Sequence, residues 1–266
     1  HTYMVGRSAG HALLDIARAA ARLGGSGLAA GGAAGSGVTA GGAAGAGLAA
    51  GGPVGLVGYS EGGAAAGWAG QLAASYAPEL HVAGVVAGGV PADLAATLDY
   101  LDGGPFVVFA LLGGVGFDAA YPELDLDGYL NDRGRALLAH QETACVVNAG
   151  VVPVALRTAF RHVDDFTTTN PLDVPAWRAR IAENDLGGVA PAAPVFAYHG
   201  VADEIVPLGQ AARLRRTWCA RGASVRWSVW PGGHLSTDVE ASQPATDWLA
   251  ARFSGAPAGS NCTASR

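Results

Sequence analysis

The 266-residue sequence has no lysine: all 16 of its basic residues are arginine. Charged residues of either sign make up only 14% of the chain, and the formal net charge is −6. With no basic run, nucleic acid is not an expected partner. No stretch of 18 apolar residues occurs, so no membrane-spanning helix is expected. Metal-site spacings are missing too. There is no HExxH, no CxxC and no clustered His/Asp pattern, and no GxxxxGK[ST] phosphate loop. No metal or other cofactor is therefore expected. Aromatics are 8% of the residues, cysteines number three (Cys145, Cys219, Cys262), and the single methionine is Met4. An odd cysteine count leaves one thiol free or separated from its partner. The chain opens at His1 without a signal-peptide pattern, as a mature form or fragment would.

What is abundant is small and apolar. Half of the residues are hydrophobic and 41 are glycine, enough for one large core or a core with an insertion. Residues 25–54 repeat a ten-residue unit three times, GSGLAAGGAA, GSGVTAGGAA and GAGLAAGGPV. That period is too short for solenoid helices and its glycines disfavour regular elements, so residues 24–52 are read as a flexible Gly/Ala loop.

The last unit runs into Val54–Gly63, VGLVGYSEGG, around which the chain is organised. A short apolar run bounded by glycines reads as a buried strand, and the small-residue pattern from Ala64 to about Tyr76 as a helix. Between them stands Gly58-Tyr59-Ser60-Glu61-Gly62. A G-x-S-x-G at a strand-to-helix turn is the context of a nucleophile elbow, with Ser60 exposed at the positive end of the helix. The motif alone is common by chance in a glycine-rich chain; the strand before it and the helix after it supply the specificity.

The rest of the chain follows in order. Ser8–Leu23 is a helix candidate. Strands are expected at 81–90, 194–199 and 225–230, with helices at 207–222 and from Thr237 to Phe253, the last interrupted or started late at Pro244. Residues 91–190 break the β-α alternation and read as a helical cap insertion into a core of 1–90 and 191–266. Its apolar residues Phe106, Phe109, Leu111 and Leu112 are candidates for an acyl pocket, with ordinary core packing an equal alternative. Tyr59, beside the serine, is a further candidate for substrate contact.

A serine hydroxyl needs a base, and the base needs an acid to hold its tautomer. Asp203 follows the strand ending at His199, and His234 follows the last strand in Pro231-Gly232-Gly233-His234. The order Ser60, Asp203, His234 is that of an α/β-hydrolase, each residue on a loop after a strand. Glu204 is a competing acid, and a turn aspartate and a loop histidine are the structural alternatives. His199 reads as structural at a strand end, and His11, His81, His140 and His162 lack a partner pattern. A Cys219–Cys262 bridge would pin the tail to the body. The sequon Asn261-Cys262-Thr263 overlaps that cysteine and carries little weight as a glycosylation site.

GYSEGG followed by AAAGWAGQLAASYAPEL, then VAGGVPADL, YPELDLDGYL, ENDLG before PAAPVFAYHGVADEIVP, and PGGH resembles, in that order, the secretory lipase family, the lipase-A-like α/β-hydrolases. HTYMVGRSAGHALLD is similar to the helix before the nucleophile strand in bacterial members. The resemblance implies a mostly parallel α/β sheet with a helical cap. It also implies a secreted serine hydrolase acting on triacylglycerols and other carboxylic esters, in transient contact with a lipid interface. Ser60 is then the nucleophile, Asp203 the acid, His234 the base and the Glu61 N–H an oxyanion donor, and the tail disulfide is Cys219–Cys262. Family members carry a further segment before the position of His1. It holds the first strands, a second oxyanion donor and a cysteine expected to pair with Cys145. On that comparison the chain reads as N-terminally truncated, and the competing expectation is a non-catalytic remnant serving as a lipid-binding or interaction module.

Overall fold

The structure, a computed structural model, describes residues 1–22, 37–40, 52–139 and 151–263. Cys145, His140 and most of the Gly/Ala repeat lie outside the described residues. In chain order the elements begin with α1 (Gly6–Arg22), β1 (Gly37–Ala40), β2 (Val54–Tyr59), α2 (Glu61–Tyr76) and β3 (Val82–Gly88). Helices α3 (Leu94–Leu101), α4 (Val108–Ala120), α5 (Leu126–Tyr129), α6 (Asp132–Leu138), α7 (Val151–Thr158) and α8 (Pro175–Glu183) follow. The chain closes with β4 (Val195–Gly200), α9 (Leu208–Ala220), β5 (Val225–Trp230) and α10 (His234–Phe253). Among the described residues, no helix is long and apolar enough to cross a membrane.

The chain divides into two compact units: residues 6–92 with 186–266, and residues 1–5 with 93–185. The first holds the sheet, in the order β1-β2-β3-β4-β5. Strands β2 to β5 are parallel, and β1 adds antiparallel to β2 with Gly37 opposite Val57 and Ala40 opposite Val54. Four residues of the repeat are thus a strand and not loop; extended backbone opposite an open edge gains ladder hydrogen bonds that offset the poor propensity of its glycine and alanine.

Alternation along the parallel strands assigns their two faces. Leu56, Val85, Ala87, Val195, Ala197 and Val225 pack with Leu14 of α1, Ala66 and Ala69 of α2 and Trp218 of α9. Val57, Tyr59, Val86, Phe196 and Tyr198 point to the opposite face and meet Ala241, Ala245 and Leu249 of α10. Each side chain set is two residues apart, as a strand requires. Helix α10 is one continuous helix from His234 to Phe253 and carries Pro244 inside it. The expected break at that proline is absent, because the apolar stripe Ala241, Ala245, Leu249 continues across it against the sheet.

The tail closes the β5 edge. The Asn261 N–H donates to the Val225 carbonyl at 2.9 Å, its Oδ1 accepts from the Trp227 N–H at 2.8 Å, and its Nδ2 donates to the Trp227 carbonyl at 2.9 Å. The Asn261 amide nitrogen of the sequon is therefore committed to the strand. Beside it, Cys219 and Cys262 form a disulfide with Cα atoms 5.5 Å apart.

The second unit has its own core. Leu94, Leu111, Val115, Phe117, Leu124, Phe166, Trp177 and Ile181 are among the residues of one cluster, and Trp177 donates its indole N–H to the Leu124 carbonyl at 3.2 Å. Between α4 and α5 the chain makes a 3-10 turn, Pro122–Leu124. Leu112 is buried with Val108 and Val154 as core, while Phe106 and Phe109 are half-buried and stack with centroids 6.3 Å apart.

Candidate active site

The site is built at the C-terminal ends of β2, β4 and β5. The first of these runs directly into the turn that carries Ser60. Ser60 has φ 57° and ψ −123°, a left-sided conformation that a residue with a side chain adopts only when its surroundings enforce it. Two contacts enforce it. The Ser60 N–H donates to the Gly88 carbonyl at the end of β3, at 2.9 Å. Gly58 lies so close to the first turn of α2 that a Cβ there would stand 1.9 Å from the Gly62 carbonyl oxygen. Only glycine fits, which is the physical content of the first G in G-x-S-x-G. Helix α2 starts at Glu61, so the Glu61 N–H has no carbonyl of its own helix to bond. Burial pushes the Glu61 carboxyl above its usual range.

After β4 the chain turns through Val201–Val206. Asp203 Oδ1 accepts from the N–H groups of Ile205 at 3.0 Å and Val206 at 2.7 Å. This local turn aims the other oxygen, Oδ2, at His234. The loop after β5 runs alongside: Val201 N–H donates to Trp230 O at 2.7 Å and Ala202 N–H to Gly232 O at 3.2 Å. His234 then opens α10.

The three side chains form one hydrogen-bonded chain. Asp203 Oδ2 is 2.8 Å from His234 Nδ1, and His234 Nε2 is 2.8 Å from Ser60 Oγ. Asp203 and His234 are buried, at 5% and 3% exposure, while Ser60 is partly exposed. Since the ionised carboxylate only accepts, Nδ1 carries the proton toward Asp203 and Nε2 presents its lone pair to the serine hydroxyl. Burial alone would push the Asp203 carboxyl upward. The hydrogen bonds from His199 and His234 outweigh it and hold the group well below the usual carboxylate range.

Three features were not read from the sequence as part of this arrangement. His199 is fully buried, and its Nε2 lies 2.8 Å from the Val206 carbonyl and 3.2 Å from Asp203 Oδ2. With Val206 O able only to accept, Nε2 is the protonated nitrogen and also serves the carboxylate. Its position in an otherwise apolar buried strand was the available signal, since a buried imidazole requires a polar partner. Glu204, the competing acid, bonds the main-chain N–H of His234 at 2.9 Å and not its ring. Tyr59 donates its hydroxyl to the His234 carbonyl at 2.6 Å and lays its ring against the imidazole, centroids 5.0 Å apart. Burial chiefly, with Asp203 adding to it, pushes the Tyr59 phenol far up, so it remains a donor at working pH. Among the described residues, no group of three or more His, Cys, Asp or Glu is placed to hold a metal ion.

Comparison with known proteins follows the same lines. A family model for secretory lipases matches residues 1–261. A secreted triacylglycerol lipase of Malassezia furfur is 30% identical over 213 residues, 77% of this chain and 43% of that protein. Lipase A of Moesziomyces aphidis is 32% identical over 210 residues, 76% of this chain and 46% of its own length. The chain thus spans about half the length of the curated relatives it matches. Among solved structures, Candida antarctica lipase A in its closed state superposes with a TM-score of 0.80 at 29% identity, covering 96% of this chain and 56% of the other.

Proposed function

The chain belongs to the secretory lipase family, and from that premise we propose that it hydrolyses carboxylic esters, triacylglycerols among them, through an acyl-enzyme on Ser60. Its α/β fold, similar to that of lipase A, supports the reading, because ligands in open parallel sheets bind at the loops after the strand ends. The observation that carries the reading is the unbroken relay Ser60–His234–Asp203, with 2.8 Å at both links.

In the first step His234 Nε2 takes the Ser60 proton as Oγ attacks the ester carbonyl. Asp203, ionised and buried, steadies the imidazolium that forms. The Glu61 N–H, at the first position of α2 and without a carbonyl of its own helix, is the donor for the developing oxyanion in this reading, backed by the positive end of α2. His234 then protonates the departing alcohol. Water, deprotonated by the same nitrogen, releases the carboxylic acid and restores Ser60. Phe106 and Phe109 are the candidates for acyl contact. Phe106 precedes helix α4 and Phe109 lies in it; Leu111 and Leu112 of α4, the other residues drawn from the sequence, are buried in core clusters. The lipid interface is the expected surface at which a triacylglycerol is met. The secreted relatives and the Cys219–Cys262 disulfide support an extracellular assignment, since disulfides persist in oxidising compartments.

Hydrolysis of p-nitrophenyl butyrate and laurate by this chain, beside Ser60→Ala, tests the reading. The expected result is turnover that Ser60→Ala abolishes while its circular dichroism is unchanged. A folded chain with no turnover, or turnover that survives in Ser60→Ala, refutes it.

A further inference from the structure

The main chain of His234 is gripped from both sides. Its N–H donates to Glu204 Oε2 at 2.9 Å, and its C=O accepts from the Tyr59 hydroxyl at 2.6 Å. The two gripping residues are the sequence neighbours of the other two members of the relay: Tyr59 precedes Ser60 and Glu204 follows Asp203. Each loop that delivers a reacting side chain therefore also holds the backbone of the histidine between them. The approach is tight. A Cβ at Gly233 would lie 2.5 Å from Glu204 Oε2, so the glycine before His234 is what admits the carboxylate.

The two ring bonds fix where the imidazole nitrogens are, but a ring held at its nitrogens alone can swing about the line joining Nδ1 and Nε2. Fixing the N–H and C=O of the same residue fixes its Cα and removes that freedom. Proton transfer to and from Nε2 depends on this, because displacement of a reacting group by about 1 Å costs on the order of 10²-fold in rate. We propose that Glu204 and Tyr59 form a main-chain clasp that sets the position of His234, and that both are positioning residues for the ester hydrolysis proposed above, on which the inference rests. A carboxylate that merely capped α10 would stabilise the helix and leave turnover untouched.

The experiment uses the full chain with Glu204→Ala, Glu204→Gln, Tyr59→Phe and the double variant Glu204→Ala/Tyr59→Phe. It reads kcat and KM on p-nitrophenyl butyrate, thermal melting, and the low-field proton NMR signal of His234 Nδ1–H, assigned by its loss in His234→Ala. Glu204→Ala is expected to lower kcat by about 10- to 100-fold with KM nearly unchanged. Glu204→Gln keeps an acceptor oxygen and is expected to restore most of that loss. Tyr59→Phe is expected to lower kcat by roughly 3- to 10-fold, and the double variant to lose less than the product of the two, since both hold one residue. The Nδ1–H signal broadens in Glu204→Ala. A folded Glu204→Ala with wild-type kcat and an unchanged signal overturns the clasp, as does a Glu204→Gln no better than Glu204→Ala. If the parent chain shows no Ser60-dependent turnover, the ester-hydrolase reading fails on its own. The NMR signal still decides the clasp: a wild-type line in Glu204→Ala and Tyr59→Phe refutes it.

Discussion

Gly58→Ala puts the nucleophile turn under the most direct stress available. The added methyl would stand 1.9 Å from the Gly62 carbonyl oxygen, 2.2 Å from the Gly62 carbonyl carbon and 2.8 Å from the Gly63 nitrogen. Every one of these is main chain, so no side chain can rotate away, and reaching even a 3.0 Å separation moves the end of β2 and the first turn of α2 apart by more than 1 Å. Ser60 lies between them and takes up that displacement. Overpacking of this kind costs about 1–3 kcal/mol of stability, which lowers Tm by several degrees in a chain of this size. Misplacing the serine by the same distance lowers kcat/KM by about 10²-fold. Gly113→Ala in α4 is the matched control, because a Cβ there meets nothing within 4 Å. It is expected to gain about 0.5–1 kcal/mol from helix propensity. The assay is p-nitrophenyl butyrate kinetics with thermal melts on both variants. A Gly58→Ala protein with parental kcat/KM and Tm would refute the account of the elbow.

Asp203→Asn leaves the relay geometry but removes the carboxylate that fixes the His234 tautomer. We expect kcat to fall by about 10³–10⁴-fold with little change in KM, read by steady-state kinetics. Burial lifts the Asp185 carboxyl to about 6 from its ordinary 3.8, against the hydrogen bond it accepts from Leu94 N–H at 2.8 Å. The folded state thus holds a proton that the unfolded state has lost between those values, so this group's contribution to stability grows as pH falls from 6 toward 4. Asp185→Asn keeps the acceptor oxygen; it should be more stable than the parent at pH 8 by up to about 2 kcal/mol, after allowing for partial solvent screening. The gap should close near pH 4, as denaturant melts at the two pH values will show. Opening the Cys219–Cys262 bridge by Cys262→Ser releases a loop of 43 residues. It should lower stability by about 4 kcal/mol in the chain-entropy account, measured by urea unfolding.

The parts of the fold that were legible are those written in periodicity and punctuation. The strand at 225–230 and the helix after Ser60 follow from apolar spacing and small-residue runs, and the structure has them at Val225–Trp230 and Glu61–Tyr76. The elbow was legible because a tight turn leaves a glycine signature. The Cys219–Cys262 bridge implied by the family resemblance is present. The order Ser60, Asp203, His234 was legible too, and the structure brings those three side chains within hydrogen-bond distance. What escaped was set by tertiary pairing. Strand β1 forms where the Gly/Ala repeat carries Val38 and Thr39, two strand-favouring residues whose signal is hidden among glycines, and where β2 offers an edge. The continuity of α10 through Pro244 depends on a sheet face that lies far away in sequence. The Glu204 and Tyr59 bonds to His234 depend on how the loops after β4 and β5 and the end of β2 come together, and nothing in DEIVP, PGGH or GYSEGG states that they will.

The helical segment between Asp93 and Asp185 has a property that bears on how such chains diversify. The Leu186 N–H bonds the Ala92 carbonyl at 2.9 Å, and Leu94 N–H bonds Asp185 at 2.8 Å, so the point where the chain departs from the sheet unit and the point where it returns are adjacent. Ser60, Asp203, His234, Tyr59 and Glu204 all belong to the sheet unit. A segment whose two ends meet is a cassette: another stretch with ends equally close can replace it without rethreading the sheet. The segment is not wholly self-contained, since Val5 packs in its core; a graft of one relative's 93–185 equivalent at the Ala92/Asp93 and Asp185/Leu186 junctions must bring the partner of residues 1–5 with it.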